Sequence, residues 1–393
     1  MKLSFVRLAA IAGVSALVLA GCAEPPATEP TPGQDTPVEA TEAPADPGDE
    51  TTDETTDEAT EDVTGDDASG DFKACMVSDD GGFDDKSFNE TAYAGLTRAA
   101  EELGIDTNQI ESHAESDFAP NVQAMIDDGC DIVVTVGFLL ADATEAAATQ
   151  NPDVNFAIVD FDSFEGVDNV RGLLFNTAET SFLAGYLAAS QSNSGVVGTL
   201  GGLNIPTVSI FMDGYAQGVE HYNEVKGEDV RVVGWDVEAQ DGLFVAGGFG
   251  DVAGGRNAAE TLIAQGADVV FPVAGPAGEG ALQAARDSGG NVRAIWVDTD
   301  GCESTDYCDV LYTSVEKAMD VAVFDTIAAA LDGSFSPEHY VGTLENEGTR
   351  LSPFHELDGE VSDEVKAELE QIKGDIVSGD IVIASESQPE TSD

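Results

Sequence analysis

Phe72-Lys-Ala-Cys-Met-Val-Ser78-Asp-Asp-Gly81-Gly82-Phe-Asp-Asp-Lys-Ser87-Phe88-Asn-Glu90 changes character twice in a short span. An apolar run of strand length gives way to a Gly/Asp turn, and from Ser87 a helical pattern of apolar residues continues to Leu103. The same strand–turn–helix unit then recurs. Val/Ile-rich runs occupy Phe72–Ser78, Asp131–Val136, Val154–Phe161, Val170–Phe175, Gly195–Leu200, Val230–Trp235, Ala267–Val273, Val292–Val297 and Val310–Thr313. They are short and continuous, as strands buried on both faces are. Helical patterns fill the intervals, among them Ala178–Ser192, Thr207–Lys226 and Val315–Leu331. Such alternation predicts an α/β protein with parallel sheets. The number of units suits two doubly wound lobes. A single (βα)₈ barrel is the alternative that periodicity leaves open.

Upstream, Lys2 and Arg7 precede an apolar stretch, Leu8–Ala20, too short for a good membrane span and suited to a signal peptide. It ends in Leu19-Ala20-Gly21-Cys22, which has the form of a bacterial lipobox, with Cys22 as the lipidated residue; an ordinary secretory signal is the alternative. Residues 1–22 are therefore expected to be a lipoprotein signal that leaves the protein on the extracytoplasmic face of the cell membrane. Residues 23–70 carry 16 Asp/Glu and no Lys or Arg. They cannot bury a core and read as a disordered acidic tether or, alternatively, a glycosylated Thr/Pro stalk. Residues 385–393 are expected to be a disordered tail.

The 393-residue chain has a formal net charge of −61 and 42% hydrophobic residues. The hydrophobic share is enough for real cores. The charge excludes binding of nucleic-acid polymers, which needs clustered cations, and an electrostatic hold on anionic lipid. Setting aside the tether's 16 acids and the two signal-peptide cations leaves −47 on residues 71–393. An acidity this general belongs to the surface, and adaptation to high salt is the expected reason.

Four cysteines follow Cys22. Cys302 and Cys308 could close a loop, and Cys75 and Cys130 lie on or beside strands that could be neighbours, so disulfides are expected in an exported protein. A zinc site is the rival, but no Cys-x-x-Cys pair exists and the histidines are scattered. Asp79–Glu90 has the outer acids of a calcium loop, yet Asp84 stands where that loop needs Gly. Gly275-Pro-Ala-Gly278-Glu-Gly280 opens a helix after a strand without the Lys or glycine spacing of a phosphate loop, in acidic surroundings. No Gly-x-Ser-x-Gly elbow appears. The expectation is no enzyme, no catalytic residue, no cofactor and no metal. Ligands of open α/β sheets sit beyond the carboxyl ends of strands. There the chain reads Val136-Gly-Phe-Leu-Leu-Ala-Asp142, Val159-Asp-Phe-Asp162, Phe271-Pro-Val-Ala-Gly275 and Val297-Asp-Thr-Asp300.

Gly81-Gly-Phe-Asp-Asp-Lys-Ser-Phe-Asn-Glu90 resembles the opening motif of the basic membrane protein family, the purine-nucleoside-receptor-like substrate-binding lipoproteins of ABC transporters. Val136–Asp142, Val270–Gly275, Val297–Asp300 and Leu311-Tyr-Thr-Ser-Val-Glu-Lys317 are similar to its later motifs, in the same order. The resemblance spans about residues 72–384. It implies a type I periplasmic-binding-protein fold, with two doubly wound parallel-sheet lobes joined by a three-crossing hinge. The N-terminal lobe would hold 71–175 with an excursion near 301–335, and the C-terminal lobe 176–300 with about 336–384. It implies a monomer that binds a nucleoside, a purine nucleoside above all, and delivers it to a separate permease and ATPase. A sensing receptor of the same fold or, more remotely, a nucleoside or glycoside hydrolase are the rival readings. It also implies roles. Asp79 and Asn89 would meet polar edges of the ligand, and Phe88 and Phe271 would stack on the base. Asp142 or Asp160 would bond ring nitrogens. Asp298, with Asp300 second, would accept from the ribose hydroxyls, Lys317 would add a donor, and Gly275 would let backbone approach. Pro276 stands where the family often has Gly, which puts the detail of the sugar contacts in question.

Overall fold

The computed structural model describes residues 72–389. The expected signal peptide, Cys22, the tether and residues 390–393 lie outside that range. Among the described residues, two separate six-stranded sheets hold all the strands but one short pair, so the barrel is excluded.

The first sheet contains β1 (Lys73–Ser78), β2 (Asp106–Ile110), β3 (Ile132–Val136), β4 (Asn155–Val159) and β5 (Val170–Phe175). The second contains β6 (Val196–Gly201) and β7 (Arg231–Val233), while β8 (Trp235–Asp236) and β9 (Asp241–Gly242) form a small antiparallel ribbon beside it. β10 (Val269–Val273), β11 (Arg293–Asp298) and β12 (Leu311–Lys317) continue the second sheet. Then β13 (Tyr340–Gly342) returns to the first sheet and β14 (Thr349–Leu351) to the second. The orders are β2-β1-β3-β4-β5-β13 and β7-β6-β10-β11-β12-β14. The second sheet thus repeats the topology of the first. All pairings in the two sheets are parallel except β12 with β14.

Helices cover both faces of each sheet, which is why the central strands are apolar throughout. In the first lobe α1 (Phe88–Leu103) covers one face, and α2 (Glu115–Asp127) and α3 (Ala141–Gln150) cover the other. In the second, α4 (Thr177–Gln191) and α5 (Pro206–Lys226) cover one face, and α6 (Val252–Ala264) and α7 (Gly278–Asp287) the other. The short α8 (Gly301–Ser304) follows β11. α9 (Met319–Leu331) then packs on α1 in the first lobe, and α10 (Asp363–Val377) joins α4 in the second. The chain crosses between lobes at Asn176, at Ala318 and through 343–348, and backbone bonds hold the crossings together. Asn176 N donates to Gly342 O at 2.8 Å, and Ala318 N to Gly348 O at 2.9 Å.

The structure departs from expectation at four points. The strand before Lys317 lies in the second sheet, so 301–317 belong to the second lobe and the first-lobe excursion is 319–342 instead of 301–335. The helix expected from Val315 begins at Met319, because Val315–Lys317 complete β12. The sequence pattern also missed β2, β13 and β14. All three run along a sheet edge or its outer margin, are short or polar, and lack the apolar run of a central strand. Finally, residues 385–389 follow a hydrogen-bonded path on α5 instead of hanging free. Cys75 pairs with Cys130 and Cys302 with Cys308, with Cα separations of 5.9 and 4.4 Å.

Candidate functional site

Each doubly wound sheet offers a ligand crevice where its strand order reverses. In the first lobe that point lies between β1 and β3, and the chain leaving β1 there is the Asp79–Ser87 turn. Gly81 (φ +121°), Gly82 (φ +71°) and Lys86 (φ +60°) bend it through the left-handed region. Asp85 caps the helix that follows. One of its oxygens accepts from Ser87 N and Glu90 N at 3.0 Å each, and the other from Asn89 N at 2.9 Å. Burial pushes the Asp85 carboxyl up to about 6 despite these three donors.

The cap orients Asn89 and Phe88 into the cleft. Asn89 Nδ2 donates to Asp79 Oδ1 at 3.1 Å, while its buried Oδ1 meets no partner among the described residues. Burial holds Asp79 well above the usual carboxylate range, opposed by the Asn89 bond and reinforced by Asp85, Asp80 and Asp160. Gly137, after β3, makes this packing possible: a Cβ there would overlap the Asp79 carboxylate, and its φ of +120° disfavours any side chain.

The two lobes then present matching groups. Asp160 follows β4 and Asp298 ends β11, the equivalent strands of the two sheets, and both take left-handed backbone at φ +63° and +70°. Non-glycine residues held there are strained, and such strain clusters at functional sites. Lys317, at the end of β12, joins them. Its Nζ lies 2.6 Å from Asp160 Oδ2 and 3.6 Å from Asp298 Oδ1, with the lysine side chain only 3% exposed. Burial raises the Asp160 carboxyl, and Lys317 opposes that rise. The same ammonium sits 4.9 Å from the Phe88 ring centre and 5.1 Å from that of Phe211, one ring from each lobe.

The cleft is crossed by protein–protein bonds. Ser87 Oγ donates to Asp298 Oδ2 at 2.7 Å, and Trp296 Nε1 donates to Lys86 O at 3.2 Å. The lobes are therefore closed on each other. Among the described residues, the cleft lining includes Asp79, Phe88, Asn89, Asp160, Gly275, Asp298 and Lys317, so these expected site residues come together.

Three others do not. Phe271 is fully buried in β10, where it packs on Tyr215 and Phe211 at 5.1 and 6.3 Å between ring centres. Its ring belongs to the core, and Phe211 on α5 supplies the second lobe's aromatic face to the cleft. Asp142 is exposed on α3, outside the lining. Asp300 caps α8 through Cys302 N at 3.0 Å and bonds His355 Nε2 at 2.6 Å.

The sequence reading also missed Phe138, Phe249, Asp80 and Asp85, which line the cleft. A usable signal existed for Phe211. It lies on the helix after Gly201-Gly202, as Phe88 lies on the helix after Gly81-Gly82, and β6 is the counterpart of β1. Among the described residues two clusters have metal-ligating residue types, Cys75/Asp128/Cys130 and Asp300/Cys302/His355, but their cysteines are committed to the disulfides. Among the described residues no helix is long and apolar enough to cross a membrane.

The profile of the family described as "ABC transporter substrate-binding protein PnrA-like" matches residues 72–386. The "ABC transporter nucleoside-binding protein BmpA" of Lactococcus lactis is 31% identical over 334 residues, covering 80% of this chain and 90% of that protein. The "CD4+ T-cell-stimulating antigen" of Listeria monocytogenes is 31% identical over 335 residues, covering 80% of this chain and 89% of its own length. Among solved structures, an ABC transporter solute-binding protein from Aeropyrum pernix K1 superposes with a TM-score of 0.71 at 28% identity. That match covers 80% of this chain and 94% of the other.

Proposed function

The chain belongs to the PnrA-like family of ABC transporter substrate-binding proteins, and from that premise we propose that it captures a nucleoside, a purine nucleoside above all, between its lobes. The observation that carries this reading is that Phe88 and Phe211, rings from opposite lobes, line one cleft, each about 5 Å from the buried Lys317 ammonium. Two aromatic faces suit a flat base, and stacking of this kind is worth about 1–3 kcal/mol per base. Around them stand groups for polar edges: Asp79, Asp298, Lys317 and Asn89, whose Oδ1 has no partner among the described residues, line the same cleft. A carboxylate's two oxygens match a sugar's vicinal hydroxyls. Asp298 already accepts from Ser87, so ligand hydroxyls share that carboxylate with the contact that closes the cleft.

The ligand should be uncharged. The lining holds the carboxylates Asp79, Asp80, Asp85, Asp160 and Asp298 against one lysine, and Asp160 already engages that lysine. A phosphate would meet net negative charge in a poorly solvated site. Binding works by lobe closure: a ligand that touches both lobes favours the closed state by its difference in affinity for the two states. No bond is made or broken. The nucleoside relative supports the ligand class, and the family supports delivery to a permease driven by a separate ATPase. Cys22 would anchor the protein by lipid on the outer face of the membrane, with residues 23–70 as the spacer.

A thermal-shift screen against guanosine, inosine, adenosine and their 5′-monophosphates tests this, because a ligand that binds only the folded state raises its melting temperature. Nucleosides should raise the melting temperature and monophosphates should not. Chromatography of the incubated ligand should show no free base. Release of free base would replace transport with hydrolysis.

A further inference from the structure

We propose that residues 384–389 form a fixed wall of the ligand cleft and set the size of ligand it accepts. The proposal takes its ligand class from the nucleoside reading, while its geometry stands independently. A second cavity adjoins the cleft, and the two share Phe138, Asp160, Thr207 and Lys317 as lining. Phe161 and Phe175 line it from the first lobe, and Ser387 and Pro389 line it from the C-terminal segment.

This wall is pinned. Gln217 holds Ala384 twice, accepting from its N at 3.0 Å and donating to its O at 2.7 Å. Ser385 Oγ donates to Asp213 Oδ2 at 2.6 Å, and Ser387 Oγ bonds Ser209 Oγ at 2.9 Å. Gln388 Nε2 donates to Asn176 Oδ1 at 3.3 Å, which ties the segment to the first hinge crossing. Asp213 is fully buried, and its other oxygen accepts from Trp235 Nε1 and Gln240 Nε2 at 2.9 Å each. Displacing the segment would leave a buried carboxylate oxygen short of a donor, which is costly.

The cavity's chemistry defines what it would accept. Its lining is mostly apolar, its acids are Asp160 and Asp162, and its lysine is already paired. Thr177, whose buried Oγ1 has no partner among the described residues, adds one neutral polar group. An uncharged, largely apolar extension of the bound molecule fits this chemistry, and an anionic one does not. The wall limits how long that extension can be.

The test compares the full chain with a chain ending at Ile383, both checked for native circular dichroism. Calorimetry with a purine nucleoside and with its benzyl-extended derivatives, at the base or at the 5′ position, should show a shift in relative affinity. Removing the wall should favour one extended ligand over the parent by at least tenfold. An unchanged ratio for every derivative overturns the proposal. A second arm needs no nucleoside: Thr177→Cys, placed in both chains, should react with a neutral thiol reagent at least tenfold faster in the shortened one, and equal rates overturn the wall. Should neither chain bind any nucleoside while the thiol arm shows the acceleration, the nucleoside reading fails and the wall stands. If the shortened chain does not fold, Ser385→Ala with Ser387→Ala in the full chain should move the same ratios and rates in the same direction, and no movement overturns the proposal.

Discussion

At the scale of single residues, Lys317 organises the site. It answers two carboxylates, one from each lobe, and faces two rings, one from each lobe. Removing one partner of a buried ion pair leaves the other charge uncompensated, at about 3–5 kcal/mol. Lys317→Met should therefore destabilise the protein by about that amount in urea melts; a loss under about 1 kcal/mol, the size of an exposed pair, would contradict the pairing. Phe211→Leu keeps apolar volume and removes the ring, so it should weaken nucleoside binding by about 1–3 kcal/mol. Phe271→Leu, in the core, should leave affinity nearly unchanged; the reverse result would restore Phe271 to the site. Sequence made Asp79, Asp160 and Asp298 legible because acids stood where apolar runs stopped. It could not separate Phe271 from Phe211, because β10 is buried at every position and an apolar helix face looks the same toward a core as toward a cleft. Nor did it show that Asp300 turns back to cap its own helix.

At the scale of elements, two arrangements position those residues. Helices α4 and α5 touch backbone to backbone through Gly185, Gly214 and Gly218, where any Cβ would overlap a facing carbonyl. That contact fixes the helix carrying Phe211. The turn before α1 is fixed by Asp85, whose carboxyl is raised from 3.8 to about 6 by burial. The folded state holds this proton more tightly than the unfolded chain, so this group's contribution to stability falls as pH rises from about 4 through about 6. Asp85→Asn mimics the protonated form and cannot titrate. Between pH 4 and 7, the wild type should lose stability relative to this variant as pH rises. A difference that stays flat would contradict the shift. The central strands and long helices were legible from apolar runs and helical spacing. The edge strands β2, β13 and β14 were not, because pairing on one side demands little apolar sequence.

At the scale of the molecule, two lobes of the same topology place equivalent strand ends opposite each other, and this duplication builds a two-sided site. Sequence motifs gave the existence of two lobes, but the path between them depended on which sheet β12 joined, and only pairing reveals that. The acidity is also a property of the whole. A charge of −47 on residues 71–393 repels itself, and the Debye length falls from about 10 Å at 0.1 M salt to about 3 Å at 1 M. Melting temperature should rise over that range of salt; a flat or falling response would remove salt adaptation as the reason for the acidity. The central claim is that a purine nucleoside is held between the lobes with Asp298 as a shared acceptor. Titration calorimetry of guanosine or inosine into the wild type and Asp298→Ala tests it most directly. One site per chain, with affinity weakened at least tenfold in the variant, is the result this account requires. No binding to the wild type, or equal affinity in the two proteins, would contradict it.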